Sequence, residues 1–330
     1  MDEKLLEIKG LKVWYKTYRG DARVVNGVDF FVRKGEKVGL VGESGCGKTT
    51  TMKSVIRTLD EKAAEIPEGE VLFRGKDVLK MKKPELQKIR RHDIAMISQS
   101  PMSALNPVFT VGEQIMDIIR FQGDIPKSKA YETALQAVKS VMIADPERIL
   151  RSFPNQLSGG MCQRICIAMA LVTPRELLIA DEPGTALDVT VQDQIHSLLR
   201  KLVSDRKMSL IMITHSLGVT RELVDRIYVM YAGNVVEESP TAELFRRPLH
   251  PYTQGLMKCV PRLSGGGVSA GIYGYIPDYI NASPGCRFCP RCSRATEACR
   301  TRRPPLVSVG ENHRVACFLY ERDAGKEELK

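Results

Sequence analysis

Residues 42–49 read GESGCGKT, a full match to the phosphate-binding pattern G-x-x-x-x-G-K-[ST]. The chemistry that pattern supports is the grip of a polyphosphate. Its glycines let backbone N–H groups turn toward an anion, and a helix starting at the end of the loop adds the positive end of its dipole. In such a loop Lys48 reaches the β- and γ-phosphates, and the Thr49 hydroxyl goes to Mg²⁺. Gly42, Ser44, Gly45, Cys46, Gly47 and Thr50 complete the cradle. Cys46 fills a position that wants a small side chain. Because a helix N-terminus can acidify a thiol, its alkylation is also expected to block nucleotide binding.

Two further groups of residues extend the same chemistry. Residues 177–182 read LLIADE, an apolar run ending in two carboxylates. An Asp-Glu pair after a strand is by itself only a loop start. Beside a phosphate loop, the first carboxylate holds the Mg²⁺ shell and a neighbouring acid polarises the attacking water. Asp181 is therefore assigned to Mg²⁺ and Glu182 to the general base. Residues 157–163 read LSGGMCQ, where Ser158 caps a helix beginning near Gly160 and leaves N–H groups able to bind an anion.

These residues need elements to hold them. Residues 38–41 form a short apolar strand, and 48–59 run on as a helix without Gly or Pro. Residues 5–31 alternate apolar and polar side chains (Leu11, Val13, Tyr15), as an antiparallel strand or hairpin does, and 70–75 read as another hairpin edge. Tyr131, Leu135, Val138 and Met142 fall on one face of a helix over 127–142, and Val191, Ile195, Leu198 and Leu202 on one face over 190–204. Residues 177–180 and 210–213 are buried strands of a parallel sheet. Residues 226–238 form a hairpin turning at Ala232-Gly233-Asn234. The pattern is an α/β core interrupted by a mainly helical insertion at about 100–173, followed beyond 240 by a Pro- and Gly-rich, loop-rich appendage that needs a staple.

Composition bounds the rest. A chain of 330 residues with 43% hydrophobic content can bury a large core. The longest apolar run, 165–172, has eight residues, against ~20 for a membrane span. The first ten residues are charged and amphipathic, so a soluble intracellular protein is expected. The net charge of +10 is scattered, with one loose basic cluster at 76–91 that reads as a solvated face. Of nine cysteines, Cys286, Cys289, Cys292, Cys299 and Cys317 crowd into the appendage, which in a reducing compartment suggests a metal or iron–sulfur site. Spacing leaves the metal undecided. The run Cys286-x-x-Cys289-x-x-Cys292 is like bacterial ferredoxins but lacks their nearby Cys-Pro ending. Four thiolates, or three with His313, equally suit tetrahedral Zn²⁺.

In these motifs the chain resembles the ATP-binding cassette family, whose signature is LSGGQ. That resemblance implies a glutamine loop at Gln99, a D-loop at Ala186-Leu187-Asp188 and a switch histidine at His215 against the γ-phosphate. It also assigns Gln99 to the Mg²⁺ shell and Ser158, Gly159, Gly160 and Asp188 to the nucleotide of a partner's site. Tyr15 matches the aromatic residue that stacks on adenine. Trp14 is the fallback, and the alternation of Leu11, Val13 and Tyr15 favours Tyr15. Met161-Cys162 departs from the signature but leaves its Ser-Gly-Gly core intact, so hydrolysis is expected to survive.

The resemblance narrows with SQSPMSALNP at 98–107, HPYTQGL at 250–256, PGCRFCPRCSRATEAC at 284–299 and HRVAC at 313–317. Together these are similar to the ATPase subunit of an oligopeptide/dipeptide/nickel-type importer of the cassette family, across nearly the whole chain. The fold this implies is an α/β cassette with a RecA-like part, an antiparallel β part and a helical subdomain. A nucleotide-binding domain would span 1–240 and a C-terminal extension 241–330. The family spacing also implies a [4Fe–4S] cluster on Cys286, Cys292, Cys299 and Cys317, with Cys289 extra to the pattern and Zn²⁺ the alternative. Implied partners are a paralogous ATPase, two membrane permeases and, indirectly, a solute-binding protein, at the cytoplasmic face of the membrane and without nucleic acid. The cargo, whether peptide, nickel chelate or oligosaccharide, is not written in the chain. Rival readings are a soluble cassette ATPase acting on ribosomes or nucleic acid, and a nucleotide-sensing regulator.

Overall fold

The computed structural model describes residues 3–123, 125–185, 187–260 and 271–321. The chain forms two compact units, Met1–Met81 with Met212–Lys330, and Lys82–Ile211. It passes from the second unit back to the first within the strand Ser209–Thr214. The units therefore divide the chain elsewhere than at residue 240, and residues 241–321 are grouped with the first.

The first unit is built on two sheets. Strand Lys4–Thr17 pairs antiparallel with Gly20–Arg33 through the turn at Tyr18-Arg19, and on its other side with Ala64–Phe73. The alternation in the sequence decides which face is inside, since Leu11 sits opposite Val28 and Val13 opposite Val25, all four buried. Strand Lys37–Val41 pairs parallel with Arg226–Tyr231. From there the sheet continues antiparallel through Asn234–Pro240 to Arg314–Val315 and Val307–Ser308. The hairpin turns where expected, with Ala232 and Gly233 at positive φ. Helix Lys48–Val55 is shorter than the run 48–59 suggests. Ile56 leaves helical geometry and Arg57 enters the left-handed region, φ 49°, which closes a helix C-terminus.

Buried ion pairs tie distant segments of this unit together. Arg226 donates to Glu36, Glu238 and the Tyr228 hydroxyl. The fully buried Glu237 carboxylate accepts from the Leu249 and His250 N–H groups and bonds His313 Nε2. A buried carboxylate left without such partners would be strongly destabilising. Burial also holds the His250 imidazole down at about 4, neutral near pH 7, and its Nδ1 accepts from Tyr252 N at 3.0 Å.

Aromatic packing anchors part of the appendage. Phe288 is buried edge-on against Tyr231, ring centroids 5.0 Å apart, and also packs on Tyr252. Strand Arg314–Val315 lengthens the sheet. Short, non-periodic segments can bury single aromatic anchors that a periodicity search does not register.

The second unit holds the parallel pair Ile94–Ile97 and Leu177–Asp181 and the helices Val111–Arg120, Lys127–Ser140, Pro146–Arg151, Gly159–Leu171 and Val189–Asp205. Thr110 and Glu113 form a reciprocal cap at the start of Val111–Arg120. The helix Lys127–Ser140 buries Ala130, Ala134, Ala137 and Val138, while Met142 beyond it is exposed. Of the expected stripe Tyr131, Leu135, Val138 and Met142, Val138 is buried, Tyr131 and Leu135 are half-buried and Met142 is exposed, so the inner face is shifted toward the alanines. Alanines let helices approach closely, and counting large apolar side chains misses that. The basic helix Lys83–His92 buries only Leu86 and Ile89, as a solvated face does. Among the described residues no helix is long and apolar enough to cross a membrane.

Candidate functional site

The first unit contains the phosphate loop. It leaves the strand Lys37–Val41 and enters the helix Lys48–Val55, so the loop's amides and the helix N-terminus face the same space. Two glycines are required by geometry. A Cβ on Gly42 would lie 2.1 Å from the Met230 carbonyl oxygen, and Gly47 has φ 103° at the head of the helix. Ser44 and Gly45 are exposed, and Thr49 and Thr50 half-buried. The buried Lys48 folds back over the loop, with Nζ donating to the Gly42 and Glu43 carbonyls at 2.7 and 2.9 Å. The Tyr15 hydroxyl lies 3.3 Å from Thr50 Oγ1, which brings that ring to the helix start, whereas Trp14 lies under the Arg23 guanidinium. Gly42 N donates to the Thr214 carbonyl at 3.4 Å, so the exposed His215 follows directly on the residue that touches the loop.

Cys46 lacks the surroundings of a reactive thiol. It is fully buried, and burial pushes its pKa up despite Lys48 Nζ 3.9 Å from the sulfur. Desolvation outweighs the acidification expected from the helix N-terminus, and with full burial it argues against ready alkylation of Cys46.

Three residues missed by sequence reasoning hold the loop from the C-terminal side. Tyr252 Oη accepts from Glu43 N at 2.9 Å, Tyr279 Oη donates to the Gly45 carbonyl at 2.7 Å, and Arg291 bonds the Glu43 carboxylate. The motifs around Tyr252 and Arg291 were visible as family markers, but nothing local marked them as loop contacts.

In the second unit Asp181 ends the buried strand Leu177–Asp181, and Glu182 follows with φ 46°. A bulky residue held in the left-handed region costs roughly 1–3 kcal/mol and marks a site where side-chain direction matters. Glu182 Oε2 accepts from Gln99 Nε2 at 3.2 Å and from Thr185 Oγ1 at 3.0 Å. The carboxylate pair and Gln99 are thus together. Ser158 and Gly159 are exposed at the start of Gly159–Leu171, where Ser158 Oγ caps Met161 N at 3.3 Å and Gly160 follows in the first turn. Asp188 caps Val189–Asp205 through Val191 N at 2.9 Å, whereas Ala186 lies outside the described residues.

The cysteine-rich segment surrounds a cavity of about 470 Å³ whose lining includes Cys286, Cys289, Cys292, Cys299 and Cys317, all free thiols. Burial pushes the Cys286 thiol up to about 11, reinforced by Cys299, Cys317 and Cys292 nearby. Among the described residues no three His, Cys, Asp or Glu side chains gather so as to hold a single metal ion. His313 is not in the cavity lining, and its Nε2 is engaged by Glu237 at 2.8 Å.

Known proteins resemble this chain in sequence and fold. A profile described as "ABC transporter" matches residues 25–185, and one described as "Oligopeptide/dipeptide transporter, C-terminal region" matches 236–299. The oligopeptide transport ATP-binding protein AppD of Bacillus subtilis is 41% identical over 98% of this chain and 99% of its own length. The dipeptide transport ATP-binding protein DppD of the same organism is 42% identical over 98% of this chain and 96% of its own. An ATP-binding cassette solved as a dimer in a post-hydrolysis state bound to ADP and Pi is 28% identical, with a TM-score of 0.64, over 72% of this chain and 98% of that one. With its phosphate loop, its carboxylate pair and a C-terminal region of the transporter type, this chain belongs to the ATP-hydrolysing subunits of the ABC transporter family, in the oligopeptide/dipeptide group.

Proposed function

We propose that this chain binds ATP–Mg²⁺ and, by hydrolysing it, powers peptide import through membrane permeases at the cytoplasmic face of the membrane. The observation that carries the reading is its near full-length kinship with ATP-binding proteins of oligopeptide and dipeptide transport. Neither the ribosomal or nucleic-acid reading nor the sensor reading has comparable support. Membrane vesicles carrying the complete transporter test the cargo. A labelled short peptide should accumulate with ATP and not with ADP, whereas uptake of a nickel chelate or oligosaccharide alone would reassign it.

In this reading Lys48 leaves the Gly42 and Glu43 carbonyls for the β- and γ-phosphate oxygens, and Tyr15 stacks on adenine. Thr49, Asp181 and Gln99 would hold Mg²⁺, which when bound would offset phosphate charge. Glu182 takes a proton from the attacking water, while His215 contacts the γ-phosphate. Ser158, Gly159, Gly160 and Asp188 serve the phosphate loop of a second, paralogous ATPase subunit rather than their own. Exposure of Ser158 and Gly159 at a helix N-terminus supports that assignment. Ser158→Arg should accordingly leave ATP binding by this chain near normal yet cripple turnover of the assembled transporter. Phosphate release by an isolated monomer as fast as by the complex would overturn the composite site.

In the same reading Cys286, Cys292, Cys299 and Cys317, which all line the cysteine cavity, would hold a [4Fe–4S] cluster, as the family spacing implies. The group would link separate tail segments through thiolates. Anaerobically purified protein should be brown, with about four iron and four sulfide per chain. Cys292→Ser or Cys317→Ser should lose the colour, and Cys289→Ser should keep it. Stoichiometric zinc without sulfide would sink the cluster.

A further inference from the structure

The phosphate loop carries a carboxylate of its own. Glu43 is its second residue, and an uncompensated negative charge there opposes the approach of a polyphosphate. Arg291, from the cysteine-rich segment, cancels it. Its Nη1 donates to both Glu43 carboxylate oxygens, at 2.9 and 3.1 Å, from a side chain only 6% exposed. The guanidinium is aimed by three more bonds, to the Tyr231 hydroxyl at 3.3 Å and to the Ile272 and Tyr273 carbonyls at 2.9 and 3.0 Å. Its backbone ends the short turn Cys289–Arg291, whose flanking Cys289 and Cys292 line the cysteine cavity. The Tyr279 hydroxyl on the Gly45 carbonyl is a second hold from the same side.

We propose that Arg291 is a positioning residue for ATP binding, the C-terminal region's contribution to the phosphate site, which neutralises Glu43 and fixes the mouth of the loop. This rests on the reading of residues 42–49 as the ATP site. It does not depend on which metal the cysteines hold. The alternative is a purely structural Arg291 that ties residues 272 and 273 to the core, with its bond to Glu43 incidental. The two differ in what Glu43→Gln does once Arg291 is replaced, because removing the charge then restores affinity if neutralisation matters and leaves the defect if the carbonyl contacts matter.

The experiment titrates ATP onto the full chain in four forms: wild type, Arg291→Met, Glu43→Gln and the double variant. Arg291→Met should bind ATP about tenfold more weakly, with a defect that shrinks as salt is raised. Glu43→Gln should bind at least as tightly as wild type, and the double variant should recover to about the affinity of Glu43→Gln. Should Arg291→Met fail to fold, Arg291→Gln keeps a donor for the two carbonyls and completes the same cycle. A double variant as weak as Arg291→Met, or four equal affinities, overturns the proposal while the ATP site stands. Absence of ATP binding by wild type overturns both.

Discussion

Glu182→Gln is expected to stop sustained ATP hydrolysis while leaving ATP binding close to wild type. The amide is nearly the size of the carboxylate, so the left-handed backbone at φ 46° and the bond to Thr185 can persist. What it removes is the proton acceptor. A positioned general base contributes roughly 10²–10⁴-fold, so phosphate release by the assembled transporter should fall at least ~10²-fold. Binding is spared because the phosphate grip lies in residues 42–49, which the substitution does not touch. Phosphate release measured beside nucleotide titration separates the two effects. Normal turnover would remove Glu182 from the mechanism.

Lys48→Ala should fail earlier, at binding. In the protein as it stands the ammonium is buried and bonded to two loop carbonyls. A charge-assisted bond to phosphate is worth roughly 1.5–3 kcal/mol, so ATP affinity should drop about 10- to 100-fold. The same change leaves the Gly42 and Glu43 carbonyls without their donor, which should loosen the loop as well. The readout is a nucleotide titration. An unchanged affinity with slow hydrolysis would make Lys48 a residue of the transition state alone.

What was legible in the chain was what is local. A phosphate loop is eight consecutive residues whose glycines answer to backbone geometry at Gly42 and Gly47. The strand ending in Asp181-Glu182, the hairpin at Ala232-Gly233 and the Ser158 cap were readable for the same reason. The contacts that hold the loop were not. Arg291 and Tyr279 meet residues 248 and 234 positions earlier in the chain, and no short pattern encodes such a pairing. Cys46 shows a conflict that local reasoning cannot resolve, because the helix dipole is written in sequence and the burial that defeats it is not. His313 follows the cysteines closely in sequence, yet it is not among the residues that line their cavity and instead meets the buried Glu237 from a strand far upstream. The alanine face of Lys127–Ser140 was missed since close packing selects small side chains, while an apolar count rewards large ones.

The most direct test joins hydrolysis to transport in one preparation. Vesicles holding the complete transporter, with either wild type or Glu182→Gln as this subunit, are given ATP and a labelled short peptide, and phosphate and internal peptide are measured together. The account predicts that wild type releases phosphate and accumulates peptide, and that Glu182→Gln retains bound ATP and does neither. Peptide accumulation at the wild-type rate with Glu182→Gln would contradict it.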